Sequence, residues 1–338
     1  VDTIALLQAY AAPAIVLIAL LEGLALSRLA QRAGATGNAP AYNWRAAFAS
    51  LGVFAGRTVM GLIPLSLLAP LIVWADQHSL YDIAPDDAWA ILGLFIGVEF
   101  FYYWYHRASH RVRWFWLNHA VHHSPNELNF SAAYRLGWTG KFTGAALFFL
   151  PLVWIGYAPE LVFGAFALNL LYQFWIHSEY IPKLGPLEWV FNTPSAHRVH
   201  HAANLEYLDA NYGGILILFD RMFGTYVEER DDLPCRYGLV HPLKSYNPFV
   251  IALHQWPALF KDLRSARSLR DVLGYFFAPP GWQPASSGRE NATTEAMRAR
   301  AASTPEDALA TIAAARSVQG TLTVSDAPIM PVAVHETT

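Results

Sequence analysis

A run of 19 residues, 11–29, carries only two charges, Glu22 and Arg28. Wound as an α-helix rising 1.5 Å per residue it would be about 28 Å long, close to the roughly 30 Å of a hydrocarbon core. Segments of this kind must be taken out of water, so the chain folds either around a bilayer or around a large dry core. The run recurs. Residues 47–75 are apolar apart from Arg57, and residues 89–105 are apolar apart from Glu99. Two shorter stretches, 142–156 and 161–176, flank the turn sequence Tyr157-Ala158-Pro159-Glu160. Fifteen residues reach only about 22 Å as helix, so this pair reads as a membrane hairpin that crosses or re-enters.

Composition decides between the two solvents. Of 338 residues 54% are hydrophobic and 14% charged, against about 25% charged in an ordinary soluble protein. The mean hydropathy is +0.24. Residues 1–105 hold 11 charged side chains, whereas the last 54 residues hold 10. We therefore expect an all-α integral membrane protein with about four to five transmembrane or re-entrant helices and a cytoplasmic helical cap. Residues 1–105 would form the transmembrane helices. Residues 106–247 would form the catalytic region, including the hairpin at 142–176. Residues 248–284 would be an amphipathic interfacial segment, because apolar positions such as Phe249, Trp256 and Phe260 alternate with Lys261, Arg264, Arg267 and Arg270. Residues 285–338 turn rich in Ala, Ser, Thr and Glu and read as a disordered tail, with one short helix at 305–315.

Orientation follows from the loops. Arg28, Arg32 and Arg45 follow the first run, while Asp76, Asp82, Asp86 and Asp87 follow the second. Basic connections stay in the cytoplasm. The third run then ends on the cytoplasmic face at His106, and the hairpin returns there at His177. The implied location is a bacterial inner membrane or the endoplasmic reticulum. Arg57 and Glu99 would sit at similar depths inside the boundary, so either they form a buried ion pair, or the arginine snorkels to the boundary, or the helix limits lie elsewhere. A net charge of −3 gives no basis for nucleic-acid capture. The single cysteine, Cys235, rules out an internal disulfide, a zinc ribbon and a protein-ligated iron–sulfur cluster.

Chemistry is concentrated in the histidines. Nine of the thirteen fall into groups: His106 and His110; His119, His122 and His123; His177; and His197, His200 and His201. Spacings of three and four residues place side chains on one helix face about 5 to 6 Å apart, the separation at which two imidazoles can share a metal. His78, His241, His254 and His335 show no such spacing and are expected not to be ligands. Nine imidazoles exceed what one ion accepts, which implies two metals with about four or five nitrogen ligands each. An all-imidazole set suits redox-active iron, copper or manganese as well as zinc. Groups able to orient these rings include Glu179, two residues after His177, and Glu99, seven before His106 on the same face; Asn118, Asp209 and Asn211 lie beside the clusters.

The pattern H-x-x-x-H, H-x-x-H-H, H-S-E and H-x-x-H-H precedes Asn211-Tyr212-Gly213-Gly214-Ile215-Leu216-Ile217-Leu218-Phe219-Asp220-Arg221-Met222-Phe223-Gly224-Thr225-Tyr226. It resembles the fatty acid hydroxylase and sterol desaturase superfamily of membrane di-iron enzymes over residues 92–226. The stretch 171–179, with Gly185-Pro186-Leu187-Glu188 and Asn192-Thr193-Pro194-Ser195 behind it, is similar to the alkylglycerol monooxygenase branch. Ala196 departs from that branch, in which many members carry a further histidine. The resemblance implies that the nine histidines hold two irons. It also implies O2-dependent attack on an unactivated C–H bond of an apolar substrate from the bilayer: an ether lipid, fatty acyl chain, sterol or carotenoid ring. Hydroxylation is expected, with desaturation as the alternative outcome and a membrane dinuclear zinc hydrolase as the rival of another class. No Gly-rich dinucleotide motif follows a strand pattern, so electrons are expected from outside. The branch implies tetrahydrobiopterin as donor, and a ferredoxin or cytochrome reductase chain would serve equally as redox partner.

Overall fold

The computed structural model describes residues 3–32, 42–63 and 68–303. Among them every regular element is helical, and extended backbone pairs only at two isolated bridges, Phe191 with Leu216 and Ala202 with Tyr237. Helix α1 (Thr3–Arg32) is followed by α2 (Trp44–Leu62), α3 (Ala69–Gln77) and α4 (Ala88–Arg111). The run expected as one span over 47–75 is thus two helices, since α2 ends in extended backbone at Ile63 and α3 starts only at Ala69, with Pro70 in its first turn. Among the described residues two helices are long and apolar enough to cross a membrane: 10–32, of mean hydropathy 1.9, and α4, of mean hydropathy 1.3. That is fewer than the expected four to five. On α1, Leu17, Leu21 and Leu29 are more than half exposed, so no protein covers that face.

Asp87 starts α4 by accepting the backbone N–H groups of Trp89 and Ala90 at 2.7 and 2.8 Å. The helix runs past the expected boundary at His106 to Arg111, breaks at extended Val112, and continues as α5 (Arg113–His119). Short helices α6 (Phe130–Ala133) and α7 (Gly140–Thr143) lead to the hairpin. Its first arm is a 3-10 turn (Ala145–Phe149) plus α8 (Leu150–Ile155), and its second is α9 (Pro159–Trp175). A turn at Gly156, φ 137°, joins them, and Leu80, Tyr81 and Ile83 donate backbone N–H groups to the carbonyls of Trp154, Ile155 and Gly156. The hairpin packs on α4 through Leu94, Val98, Tyr102, Phe149, Leu152 and Val162.

The remaining elements cap this layer: α10 (Pro194–His201), α11 (Leu218–Phe223), α12 (Pro248–Leu253), α13 (Trp256–Ser265), α14 (Leu269–Phe277) and α15 (Thr294–Ser303). The amphipathic stretch expected as one helix over 248–270 is broken into three. Pro257 fits only the first turn of α13, and Ser268 caps α14 by accepting the N–H of Asp271. Residues 285–303, expected as part of a disordered tail, are placed against the cap: Arg298 donates to the carbonyls of Leu205 and Leu208, and Glu295 pairs with Arg111. The helix expected at 305–315 lies outside the described residues.

Candidate metal centre

Nine buried or half-buried histidines converge from the end of α4, from α5 and the turn after it, from the second residue after α9, and from α10. Their ring nitrogens form two sets, each with atoms within 4.8 Å of one another: His106, His110, His119, His123 and His200; and His122, His177, His197 and His201. Each H-x-x-H-H motif straddles both sets. His119 and His123 join the first while His122 joins the second; His197 and His201 join the second while His200 joins the first. A helix advances 100° per residue, so in α10 His197 and His201, four apart, share a face and His200 parts from His201; the turn after α5 sorts His119, His122 and His123 the same way. The sets abut, with the rings of His123 and His201 stacked at 4.5 Å.

Backbone carbonyls fix several rings. His106 Nδ1 lies 2.8 Å from the Tyr212 carbonyl, His177 Nδ1 2.7 Å from that of Gln173, and His200 Nδ1 2.9 Å from that of Ala210. Each of these nitrogens must carry the proton, which leaves Nε2 as a lone pair directed into the site. The segment 209–213 supplies two of the carbonyls because Asp209 and Asn211 both adopt left-handed backbone, φ 56° and 57°, which these residue types tolerate. Gly213 and Gly214 follow because a Cβ would strike the Leu216 carbonyl at the first position and the Asn169 amide at the second.

The interior of the site is short of hydrogens. His106 and His123 Nε2 approach His119 Nε2 at 3.0 and 3.1 Å, and His122 and His197 Nε2 approach His177 Nε2 at 3.3 and 3.0 Å. With Nε2 of His106 and His177 unprotonated, the network cannot be satisfied throughout by protons. One buried ring nitrogen each of His110, His197, His200 and His201 has no hydrogen-bond partner among the described residues. Burial, followed by the neighbouring imidazoles, pushes His119, His122, His123, His197 and His201 well below the ordinary histidine range, and burial takes His177 down to about 4. Buried imidazole nitrogens in two groups of five and four are the donor set that a pair of borderline transition-metal cations requires, and the residues present fit such a pair.

The five other sequence candidates sit around this centre, and of them Asp209 alone approaches a histidine, His110, at 3.7 Å. It also pairs with Arg111 at 3.0 Å. Burial would raise its carboxyl, but His110, Thr294 and Arg111 outweigh this and hold it below the usual range. Glu99 touches neither a ring nor Arg57. It accepts Asn169 Nδ2 at 2.5 Å and the N–H groups of Ile215 and Leu216 at 2.9 and 2.8 Å. Of the alternatives for Arg57 and Glu99, the ion pair does not form, and Arg57 lies on the exposed side of α2. Glu99 instead holds the segment whose Tyr212 carbonyl orients His106. Glu179 accepts the Leu128 N–H at 3.0 Å and so steadies the chain after His123. Asn211 ties α10 to the loop through the carbonyls of Ala196 and Val227. Asn118 faces Thr139 and the close-packed Gly137. His78 and His254 bond carbonyls of their own helices and His241 is in neither set; His335 lies outside the described residues.

Three supporting residues escaped sequence reasoning. Asp220, fully buried, accepts the N–H groups of Tyr212 and Gly213 and the Thr225 hydroxyl, all at 2.7 Å, and burial pushes its carboxyl up to about 6. Arg198, between two histidines of α10, makes a two-pronged pair with Glu229 at 2.7 and 2.6 Å and donates to the carbonyls of Ser178 and Ile181. Asn192 donates to the Gly213 carbonyl at 2.7 Å. Their one sequence signal was position inside the quoted motifs. Cys235 lies apart, its thiol pushed up to about 12 by burial.

Comparison with known proteins found relatives over the histidine-bearing region. The family model for fatty acid hydroxylase matches residues 91–225, the stretch that holds all nine histidines. Alkylglycerol monooxygenase of Xenopus tropicalis is 37% identical over 236 residues, covering 70% of this chain and 52% of that protein. The Homo sapiens alkylglycerol monooxygenase is 35% identical over 242 residues with the same coverage. Ornithine lipid hydroxylase OlsE of Rhizobium tropici is 32% identical over 153 residues, 45% of this chain and 44% of that protein. The chain thus spans about half the length of the curated alkylglycerol monooxygenases it matches. No solved structure matches. Residues 91–225 thus carry a fatty acid hydroxylase domain, and over 70% of its length the chain is similar to alkylglycerol monooxygenases.

Proposed function

We propose that this chain is a membrane-bound non-haem di-iron monooxygenase that hydroxylates a C–H bond of a lipid with O2 and external electrons. The observation that carries the reading is the double imidazole set, five and four ring nitrogens gathered within 4.8 Å of one another. His106, His110, His119, His123 and His200 would hold one iron, and His122, His177, His197 and His201 the other. Reduced, the irons would supply the power to activate O2 against an unactivated C–H bond. The protein's own part is to keep the imidazoles neutral and aimed. The carbonyls of Tyr212, Gln173 and Ala210 hold the Nδ1 protons of His106, His177 and His200, while Glu99, Asp220 and Asn192 hold the loop that carries the first of these. Asp209 would anchor His110, and Glu179 the backbone beyond His123.

The substrate is an apolar lipid drawn from the bilayer, within the class of ether lipids, fatty acyl chains, sterols and carotenoids. The alkylglycerol and ornithine-lipid relatives favour hydroxylation over desaturation. Electrons would come from tetrahydrobiopterin or from a ferredoxin or cytochrome reductase chain. The location is a bacterial inner membrane or the endoplasmic reticulum, with the centre on the cytoplasmic face. Metal analysis of purified protein, joined to oxygen-uptake assays, tests the reading. Two irons per chain and O2-dependent alcohol formation are expected. Two zincs with anaerobic turnover would overturn it in favour of a hydrolase. Lipid profiling of cells with and without the chain identifies the substrate.

A further inference from the structure

The segment formed by α12, α13 and α14 has a sorted surface that the metal centre does not use. Its two acids face inward: Asp262 is 5% exposed and pairs with Arg113 and Arg289, and Asp271 is 7% exposed and accepts the Arg267 N–H. Its four bases, Lys261, Arg264, Arg267 and Arg270, are all exposed, and their side chains make no ion pair or hydrogen bond among the described residues. Along α14, Leu269, Leu273 and Phe277 recur every four residues and are 73%, 47% and 60% exposed, so one uncovered apolar stripe runs beside the bases. Between the start of α14 and residues 282–286 lies a cavity of about 490 Å³ lined by Arg267, Arg270, Asp271, Trp282, Gln283 and Ser286. Two guanidinium groups against one carboxylate leave it net positive.

The position of this segment indicates what covers it. Ile251 of α12 packs on Ala49 and Val53, in the first half of α2, and nearby Arg45 stacks on Tyr246 at 4.6 Å. On the membrane orientation proposed above, on which this inference rests, Arg45 stands at the cytoplasmic boundary, and Phe48 of α2 is 58% exposed on the same stretch. The segment therefore lies at the level where a membrane surface would be. We propose that α12–α14 is an interfacial foot and that its cavity binds the phosphate headgroup of an anionic phospholipid, with the acyl chains along Leu269, Leu273 and Phe277. A free phosphate would leave that stripe in water. A second copy of the chain on a two-fold axis would set four cations against four.

The test uses full-length protein in nanodiscs and the indole of Trp282, isolated among the twelve tryptophans by subtracting the Trp282→Phe protein. Each basic side chain at an anionic surface is worth about a fivefold change in association. Brominated phosphatidylglycerol should therefore quench Trp282 at about one-fifth, or less, of the mole fraction that brominated phosphatidylcholine requires. Arg267→Gln with Arg270→Gln should remove the preference, and Arg267→Lys with Arg270→Lys should largely keep it, which separates lost charge from lost folding. Equal quenching by the two lipids would overturn the proposal, as would quenching by neither. A preference abolished by inorganic phosphate would assign the cavity to the free anion and overturn it as well.

Discussion

Removing the Glu99 carboxylate tests the link between the buried polar network and the metal centre. Its side chain is 1% exposed and satisfies three donors: the Asn169 amide and the N–H groups of Ile215 and Leu216. Glu99→Ala strands all three, at about 1 to 3 kcal/mol for each buried unsatisfied group, partly offset because a carboxylate no longer has to be buried. A net loss of about 3 kcal/mol is expected, a large fraction of a typical total of about 5 to 15 kcal/mol. Glu99→Gln should cost only about 1 kcal/mol. Its oxygen can still face the two N–H groups, and its amide can face Asn169 if the chain Asn169–Gln173–Tyr102 reverses. In the present arrangement Gln173 donates to Asn169 at 2.6 Å and accepts from Tyr102 at 2.9 Å, and a tyrosine hydroxyl can take either role. Loosening residues 212–216 also frees the carbonyl on His106, so Glu99→Ala should weaken metal binding about 10- to 100-fold. Denaturation in detergent and metal content after dialysis read the two effects. Equal losses for Gln and Ala would show that charge, rather than hydrogen-bond acceptance, matters. Full metal retention in Glu99→Ala would refute the proposed route through the loop.

Further outcomes follow from the same geometry. His200→Ala removes one nitrogen from the five-membered set and should abolish turnover and lower bound metal; unchanged turnover would contradict the ligand assignment. Asp220→Ala strands the N–H groups of Tyr212 and Gly213 and the Thr225 hydroxyl, and should destabilise the fold by about 2 to 4 kcal/mol, measurable by denaturation; a neutral result would remove it from the support of His106. The metal-free chain should lose stability as pH falls. Its His177 titrates near 4 when folded against 6.5 as reference, so the unfolded state binds more protons between those values. The loss begins as pH drops through 6.5, amounts to about 2 kcal/mol from His177 alone at pH 5, and levels off below 4. Metal-loaded protein should resist the same titration to lower pH, and identical curves for the two forms would speak against imidazole ligation.

The helices that were legible in the sequence were those with a local cause. Asp87 caps α4, charge is nearly absent from 11–29, and Pro159 opens the second arm of the hairpin; each acts within a few residues of the helix it shapes. The run over 47–75 misled because hydropathy sums along the chain and does not register the break after Leu62. The Arg57–Glu99 pair was inferred from similar depth, but depth leaves rotation about each helix axis undetermined. The amphipathic reading of 248–270 found the right side chains and missed the two breaks at Gln255 and Ser268.

The nine histidines could be identified from sequence because spacing of three or four residues is itself a geometric statement about one helix face. Their number also implied two metals, since coordination number is a property of the ion. Which histidine belongs to which set was decided only by tertiary structure. Adjacent histidines of each H-x-x-H-H motif diverge, by about 100° in α10, and only the packing of α10 and of the turn after α5 around the centre determines what each then meets. The same holds for Glu99, Asp220 and Arg198. Their partners stand up to 117 residues away in the chain, and a buried carboxylate or guanidinium takes whatever donors and acceptors the fold delivers to it, which no local pattern encodes.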